Sequence, residues 1–312
     1  MLGRRTFQGT AIVLLVAGSL AAAPPKAPRR IIDVHVHAYF DDPRFGSTFV
    51  NPLNGERFTA SPDHAAHLAT CLEIMRRLNV VKAVVSGGAH HEAVLRWRES
   101  APETVLVGRA FDDPAEIDLD SLRREHAAGR LHVIGEVGTQ YEGIAPNDPR
   151  MEPVYALAEE LDLPIALHMH PGPPGAPYPP FGMTKMRAAN GNPLLLEDVL
   201  VRHPKMRIYV MHAGWPFLED TIALLYVHPQ VHLGLGAIDW SQPPAEFHRY
   251  LRALVEAGYG KRIMFGSDQM VWPQTLEKAV RNVESATFLT PEQKDDIFYF
   301  NAARFLRLDP QH

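Results

Sequence analysis

The sequence predicts an α/β protein built as a (β/α)8 TIM barrel, a single domain with an extra helix at its C-terminus. Eight short β-rich segments recur along the chain, with helix-length intervals between several of them. Most are continuously apolar, which is typical of parallel strands covered on both faces. The chain has 312 residues, and such barrels typically need about 250. The predicted strands are residues 31–37, 80–86, 104–110, 131–137, 164–169, 206–212, 231–236 and 262–266.

Apolar residues at helical spacing predict helices between these strands. Ser61 and Pro62 offer an N-cap and a first-turn proline to a helix across residues 68–75. Thr290 and Gln293 have the spacing of a capping box, which predicts a last helix near the C-terminus. Three further apolar stripes lie within residues 151–161, 247–255 and 276–283.

A doubly wound open sheet is the alternative fold. That fold usually carries a glycine-rich turn after its first strand, whereas here the first strand leads into His35 and His37. Residues 171–193 form a long segment rich in proline and glycine directly after the fifth strand, and loops of this length are often functional. Neither this segment nor residues 38–61 predicts a particular substrate.

The composition limits the kinds of partner and of metal site that the chain can have. The 46% apolar and 21% charged residues are ordinary for a globular protein, and the net charge of −5 gives no reason to expect nucleic acid as a partner. The single cysteine, Cys71, excludes an intrachain disulfide and a thiolate metal cage. The 16 histidines leave imidazole and carboxylate sites as the main route to metal binding.

The N-terminus predicts export. Arg4 and Arg5 precede an apolar stretch at residues 11–20, which is too short to span a bilayer, and three alanines follow at 21–23. We therefore expect a signal peptide over residues 1–23, a mature domain over 24–312, and a periplasmic or secreted protein without a stable membrane anchor after cleavage. Residues 4–7 resemble a twin-arginine signal. The alternative is an uncleaved N-terminal anchor.

Polar residues fall where chemistry is found in a barrel, at the C-terminal ends of the strands. Asp33, His35 and His37 alternate along the first strand, so that period-2 geometry would place them on one side. Two such imidazoles can converge on one metal ion. The alternative is a pair of buried, hydrogen-bonded histidines.

Four other strands end in residues of the same chemical types. They are Glu136 near the end of the fourth strand, His168 at the end of the fifth, His212 at the end of the sixth and Asp268 after the eighth. A single histidine after an apolar run is weak support for a site. The ordered set is much stronger, because a barrel gathers all of these positions at one end.

This ordered set resembles the amidohydrolase superfamily, in particular its amidohydrolase-related branch. That branch includes decarboxylases of aromatic and muconate-type acids, lactonases and other hydrolases. The matching residues run from the motif at residues 33–37 to Asp268, and residues 301–306 resemble the family's C-terminal segment. The likeness covers about residues 31–308.

The resemblance implies a divalent metal, expected to be Zn²⁺ with Mn²⁺ as the alternative, held by His35, His37, His168 and Asp268. Asp268 would also act as the general base, and His212 would polarise a substrate carbonyl or stabilise an oxyanion. One ion is expected rather than two. In the two-ion alternative Glu136 bridges the metals and His168 and His212 serve the second ion, as in the superfamily's metal-dependent deoxyribonucleases.

The implied function is a metal-dependent hydrolase that activates water to cleave a small ester, lactone or amide. Non-oxidative decarboxylation of an aromatic or unsaturated acid is the alternative. Decarboxylases of this branch often begin the first motif with Glu, whereas Asp33 stands here. A nuclease is disfavoured by the charge and by the lack of a basic cluster.

The sequence gives weaker support for roles of the residues around the predicted site. We expect Arg109, at the end of the third strand, to bind a substrate carboxylate, with His90 and His91 as further candidates. His170 lies beyond the end of the fifth strand and is expected to contact neither metal nor substrate. Packing is the expected role of Tyr141, Trp215, Trp240 and Trp272. The expected partner is a small-molecule substrate, and a homodimer is left open.

Overall fold

A computed structural model describes Gly3 and residues 29–88, 91–179 and 181–308. Apart from Gly3, the predicted signal peptide lies outside the described residues, and so does His90. Within the described ranges, no helix combines the length and the apolar character that crossing a membrane requires.

Eight parallel strands form a nearly closed barrel, so the predicted fold is confirmed. Each strand pairs with the next one along the chain. The first and last segments meet through two backbone hydrogen bonds, from Val34 N to Phe265 O at 3.0 Å and from Asp268 N to His35 O at 2.7 Å. The strands are β1 (Ile31–His37), β2 (Val80–Ser86), β3 (Val105–Phe111), β4 (Val133–Val137), β5 (Ile165–His168), β6 (Ile208–Met211), β7 (Val231–Gly234) and β8 (Ile263–Met264).

Helices alternate with the strands and cover the outside of the barrel. They are α1 (His64–Leu78), α2 (His91–Ser100), α3 (Leu119–Ala127), α4 (Glu152–Glu160), α5 (Glu197–Arg202), α6 (Leu218–Val227), α7 (Ile238–Ser241), α8 (Pro244–Leu254), α9 (Gln274–Glu284), α10 (Pro291–Asp295) and α11 (Asn301–Phe305). The capping box predicted at Thr290 and Gln293 is present at the start of α10. The predicted cap of α1 was wrong: Asp63, not Ser61, accepts the hydrogen bond from Ala66 N, because the helix begins two residues later, at His64.

The interior of the barrel is filled by apolar side chains and closed at one end by the C-terminal helices. Tyr299, Ala303 and Phe305 join the cluster of residues inside the strands. Phe305 O accepts a hydrogen bond from Arg207, which precedes β6, so this closure lies at the N-terminal end of the strands. The polar residues gather at the opposite end, the C-terminal end of the strands. A functional site is therefore expected there. The interior strand residues of this cluster are Ile32, Val34, Val84, Leu106, Val133, Ala166, Tyr209, Met211 and Met264.

The segment between β1 and α1 contains structure that the sequence did not predict. Thr48–Val50 and Arg57–Thr59 pair as an antiparallel hairpin, and Phe58 of this hairpin packs edge-on against Trp240. The segment after β5 is irregular as predicted, apart from a short 3-10 turn at Ala188–Gly191.

Candidate metal centre

Six side chains with metal-binding atoms converge at the C-terminal end of the barrel. They form three groups within the described residues, and in each group the candidate ligand atoms lie within 4.8 Å of one another. Four of the side chains are buried and two are half-buried. Every one of them was predicted from the sequence. They are His35, His37, Glu136, His168, His212 and Asp268.

His35, His37 and Glu136 form the first ligand group. His35 Nε2 and His37 Nε2 are 3.0 Å apart, and Glu136 Oε2 lies 3.3 Å from the former and 3.1 Å from the latter. Tetrahedral ligands at a Zn–N distance of about 2.0–2.1 Å stand roughly 3.3 Å from one another. The three atoms therefore have the mutual spacing of ligands to a single cation.

Glu136, His168 and His212 form the second ligand group. Glu136 Oε1 is 2.5 Å from His168 Nδ1 and 3.5 Å from His212 Nε2. The two ring nitrogens are 2.9 Å apart. The carboxylate of Glu136 thus lies between the two groups and offers one oxygen atom to each.

Asp268 faces the first ligand group. Its Oδ1 atom is 3.1 Å from His37 Nε2 and 3.6 Å from His35 Nε2, whereas its Oδ2 atom is 3.9 Å from His212 Nδ1. His35, His212 and Asp268 make up the third ligand group. His168 shares its group with Glu136 and His212, and not with His35 and His37 as the single-ion expectation placed it.

The backbone bends sharply at two of these residues. His212 has φ 57° and Asp268 has φ 47°, in the left-handed region that residues other than glycine seldom adopt. Such conformations are of order 1–3 kcal/mol less stable and persist where the surrounding structure imposes them. Both residues lie just beyond strand ends, where the chain must leave the barrel.

A hydrogen bond orients the ring of His212. Its Nδ1 atom donates to the carbonyl of Gly236 at 2.8 Å. Metal-binding histidines commonly fix their orientation by donating the other ring N–H in this way. In the neutral ring the lone pair is then on Nε2, which is the atom that belongs to the second ligand group.

Electrostatics keep both carboxylates ionised. Burial alone would raise the pKa of Glu136, but the charge of His35 and the hydrogen bonds to His168 and His212 hold it well below its usual range. The pKa of Asp268 is lowered in the same way against its burial, by His35 and His37. Burial lowers the pKa of His168 to about 4. Two anionic carboxylates among imidazoles form a donor set that suits Zn²⁺ and related divalent metals.

Comparison with known proteins identifies the family of this chain. The family model described as Amidohydrolase matches residues 32–308. The chain belongs to this amidohydrolase family.

Solved structures similar to this amidohydrolase share its fold. The uncharacterized TIM-barrel protein Bb4693 from Bordetella bronchiseptica has a TM-score of 0.64 and 18% identity, covering 89% of this chain and 98% of that one. A probable 2-pyrone-4,6-dicarboxylic acid hydrolase from Acinetobacter baumannii has a TM-score of 0.60 and 14% identity, covering 89% and 100%. The 5-carboxyvanillate decarboxylase from Sphingomonas paucimobilis has a TM-score of 0.61 and 17% identity, covering 90% and 99%.

A curated relative matches part of the amidohydrolase. Protein fluG from Emericella nidulans is 22% identical over 146 residues, which is 42% of this chain. The match covers only 17% of that protein's own length.

Asp33 does not belong to any of the three ligand groups. The pairing of β1 with β2 shifts register between Asp33 and Val36, so the strict alternation predicted for Asp33, His35 and His37 is interrupted. Asp33 Oδ1 instead accepts hydrogen bonds from His35 N at 3.0 Å and from Ser267 N at 2.9 Å. Its complete burial raises its pKa to about 7. Asp33 therefore ties the end of β1 to the segment after β8.

Gly236 and Gly266 allow the backbone to pack closely against the side chains of the centre. A Cβ on Gly236 would lie 2.7 Å from His35 Nδ1 and 3.0 Å from Asp268 Cβ. A Cβ on Gly266 would lie 3.0 Å from His35 Cβ. The close packing of these backbones on His35 leaves its ring little freedom to move.

Aromatic side chains border the two main ligand groups. The ring of Tyr39 stacks on that of His37, with centroids 5.7 Å apart. The hydroxyl of Tyr141 lies 3.3 Å from both ring nitrogens of His168. From the sequence, Tyr141 was expected only to pack against a neighbouring loop, and nothing pointed to Tyr39.

Arg109 and His170 lie outside the three ligand groups, and only His170 packs against one of their members. Arg109 is half-buried on β3. The burial of His91 lowers the pKa of that imidazole, and the charge of Arg109 lowers it further. The expected role of Arg109 with substrate stays a prediction. His170 lies closer to the centre than its position beyond β5 indicated, since its ring packs 5.1 Å from that of His212.

Proposed function

We propose that this amidohydrolase uses a divalent metal to activate water and cleave a small ester, lactone or amide. The observation that carries the proposal is the convergence of four imidazoles and two ionised carboxylates at the C-terminal end of the barrel. The similar structures include both hydrolases and decarboxylases and favour neither. The presence of Asp33, where decarboxylases of this branch often have Glu, supports hydrolysis.

His35, His37 and Asp268 would hold a metal on one side of Glu136, and His168 and His212 on the other. A bound divalent cation supplies Lewis acidity, which polarises a carbonyl and lowers the pKa of water toward ~7. Zn²⁺ is the proposed metal, because imidazole nitrogens dominate the donor set, with Mn²⁺ as the alternative.

Asp268 is the proposed general base. Its Oδ1 atom, 3.1 Å from His37 Nε2, lies beside the first ligand group and can accept the proton of an attacking water molecule. His212 is held by Gly236 with the lone pair of Nε2 toward the second ligand group, where it would help to hold the cation that polarises a substrate carbonyl. Tyr141 borders the same group through its contact with His168.

The number of ions is a separate question. The sequence led to an expectation of one ion. The division of the ligands into two groups that share Glu136 supports two ions per chain instead. Elemental analysis of purified protein, with zinc and manganese measured together, would distinguish a ratio near two from a ratio near one.

Product analysis would separate hydrolysis from decarboxylation. The hydrolytic test compounds are 2-pyrone-4,6-dicarboxylate, a simple aromatic lactone and a nitrophenyl ester, with proton release as the readout. The decarboxylation test compounds are 2,6-dihydroxybenzoate and 5-carboxyvanillate, with carbon dioxide as the readout. We expect turnover only in the first set and its loss in His35→Ala and Asp268→Ala. Carbon dioxide release without a hydrolytic product would support the alternative.

Export to the periplasm or the medium is proposed from the N-terminal sequence alone. Sequencing the N-terminus of protein recovered from the periplasm tests it, with Pro24 as the expected first residue. Recovery of protein that begins at Met1 or Leu2 would contradict cleavage after Ala23.

A further inference from the structure

His170 lies directly beside the second ligand group. Its ring centroid is 5.1 Å from that of His212 and 6.1 Å from that of His168. On its other side the ring stacks on Trp215, at 5.4 Å and an interplanar angle of 26°. The imidazole is therefore packed between a tryptophan and two candidate metal ligands.

Hydrogen bonding determines which ring nitrogen of His170 carries the proton. The backbone N–H of Gly172 donates to Nδ1 at 3.1 Å. Because Nδ1 accepts this bond, it has no proton, and the neutral ring has its N–H at Nε2. His170 is thus a donor at Nε2.

This donor has no acceptor within the described part of the chain. His170 Nε2 is buried and makes no hydrogen bond there. Buried polar groups in native proteins nearly always have a partner, so an unpaired one beside a cluster of ligands calls for an explanation. A substrate oxygen bound at the centre would supply the missing acceptor.

The backbone of His170 is held from two directions. The side-chain amide of Gln140, from the loop after β4, donates to His170 O. Gly191 packs so closely that a Cβ there would lie 2.9 Å from His170 C and 3.0 Å from His170 O. Donors fixed in this way before the substrate binds are the ones that stabilise developing charge most effectively.

We propose that His170 donates a hydrogen bond from Nε2 to the carbonyl oxygen of the substrate. This inference rests on the proposed function. When the oxygen of water bonds to the carbonyl carbon, the π electrons of the carbonyl move to its oxygen and the proton of water passes to Asp268. The N–H of His170 then stabilises the negative charge on that oxygen, so His170 is a catalytic residue that does not bind metal.

Two variants separate hydrogen bonding from packing. His170→Phe keeps a ring that can stack on Trp215 but removes the donor, whereas His170→Gln keeps a side-chain N–H. His232→Phe is the matched control, because His232 lies on β7 and packs on Phe305 at the closed end of the barrel. Zinc content is measured for every protein.

The probe is acetohydroxamate, which binds to metal centres through its oxygen atoms. Calorimetry on zinc-loaded protein should give about tenfold weaker binding in His170→Phe, as expected for the loss of one hydrogen bond worth about a factor of ten. His170→Gln and His232→Phe should bind within about threefold of the wild type. Unchanged binding in His170→Phe would overturn the proposal, and so would loss of zinc in that variant, because His170 would then be a ligand.

A second measurement does not depend on metal or turnover. Long-range ¹H–¹⁵N spectra of ¹⁵N-histidine-labelled protein report which ring nitrogen is protonated, and the signal of His170 is the one missing from His170→Gln. We expect a neutral ring protonated at Nε2, and a ring protonated at Nδ1 would contradict the inference. If the wild type takes up no metal, the proposed function fails, and this spectrum still tests His170.

Discussion

The side-chain amide of Gln269 hydrogen-bonds to both backbone polar groups of His37. Its Nε2 atom donates to His37 O at 2.8 Å, and its Oε1 atom accepts from His37 N at 3.0 Å. Gln269 follows Asp268 directly in the sequence. The amide therefore fixes the position of His37, from the first strand, relative to Asp268, from the segment after the last strand.

Replacing Gln269 should weaken metal binding. Gln269→Leu removes both hydrogen bonds while roughly keeping the side-chain volume, so His37 loses its fixed position. Loss of an orienting group around a metal site typically lowers metal affinity by about 10–100-fold. Competition with a zinc chelator measures this affinity. Gln274→Leu, at an exposed amide that contacts Thr59 O, is the control. Wild-type affinity in Gln269→Leu would show that the amide has no positioning role.

Gly236→Ala should disturb the centre through steric contact alone. The new Cβ would stand 2.7 Å from His35 Nδ1, which is too close to be tolerated without movement of the ring. We expect about 10–100-fold weaker metal binding, again by chelator competition. The control is Gly234→Ala, where the nearest contact is an ordinary 3.5 Å. Equal affinities in the two variants would be inconsistent with the close packing on His35.

Glu136→Gln should change the number of bound ions. A neutral amide is a poor bridge between two cations, so we expect about one metal ion fewer per chain than in the wild type. Elemental analysis after dialysis measures the ratio. Glu142→Gln, at a glutamate that pairs with Lys185 in the adjacent loop, should leave the ratio unchanged. An unchanged ratio in Glu136→Gln would argue against a bridging role.

Asp33 should matter for stability rather than for metal binding. Asp33→Ala leaves the buried N–H groups of His35 and Ser267 without their acceptor. Each unpaired group costs about 1–3 kcal/mol, so we expect the free energy of unfolding to fall by about 2–5 kcal/mol. Asp33→Asn keeps an acceptor oxygen and should lose much less. Urea unfolding of the two variants gives the comparison, and equal losses would contradict the proposed hydrogen-bonding role.

His67 should make the fold sensitive to acid. Its buried ring lies among Tyr39, Phe45 and Trp97, and burial lowers its pKa to about 4. Between pH 6.5 and about 4 the unfolded chain binds a proton that the folded chain does not. Stability therefore falls as the pH is lowered through this window, by up to about 1.4 kcal/mol per pH unit.

His67→Phe tests this contribution. The variant cannot take up the proton in either state, so its free energy of unfolding should decline less between pH 6.5 and 4.5 than that of the wild type. Urea unfolding at several pH values measures both slopes, and pH 8, where the imidazole is neutral in both states, is the reference. Parallel slopes would show that His67 does not contribute.

The strands could be predicted because their apolar runs have clear boundaries. β1 and β2 have the predicted bounds, since each run is closed by a polar residue. The last strand is shorter than predicted, Ile263–Met264 rather than residues 262–266, although Phe265 O still bonds to Val34 N. Its length depends on pairing with strands distant in sequence, and local composition does not report such pairing.

The residues of the centre were predictable, but their grouping was not. Strand ends identified the candidate ligand residues, because a barrel gathers them at one end. The position of Glu136 between His37 and His168 depends on how neighbouring strands are staggered, which the sequence does not show. Gln269 was missed for the same reason: its partner lies at the other end of the chain. Its position next to Asp268 was the only signal.

The two ends of the barrel sequence meet at the centre, with His37 on the first strand and Asp268 just after the last. A nascent chain that has not yet left the ribosome as far as Asp268 lacks one of the two carboxylates of the centre. Metal binding that uses both carboxylates would therefore wait until synthesis of the barrel is almost finished. In such a protein metal uptake would follow the completion of the chain, and shortened translation products would bind metal more weakly.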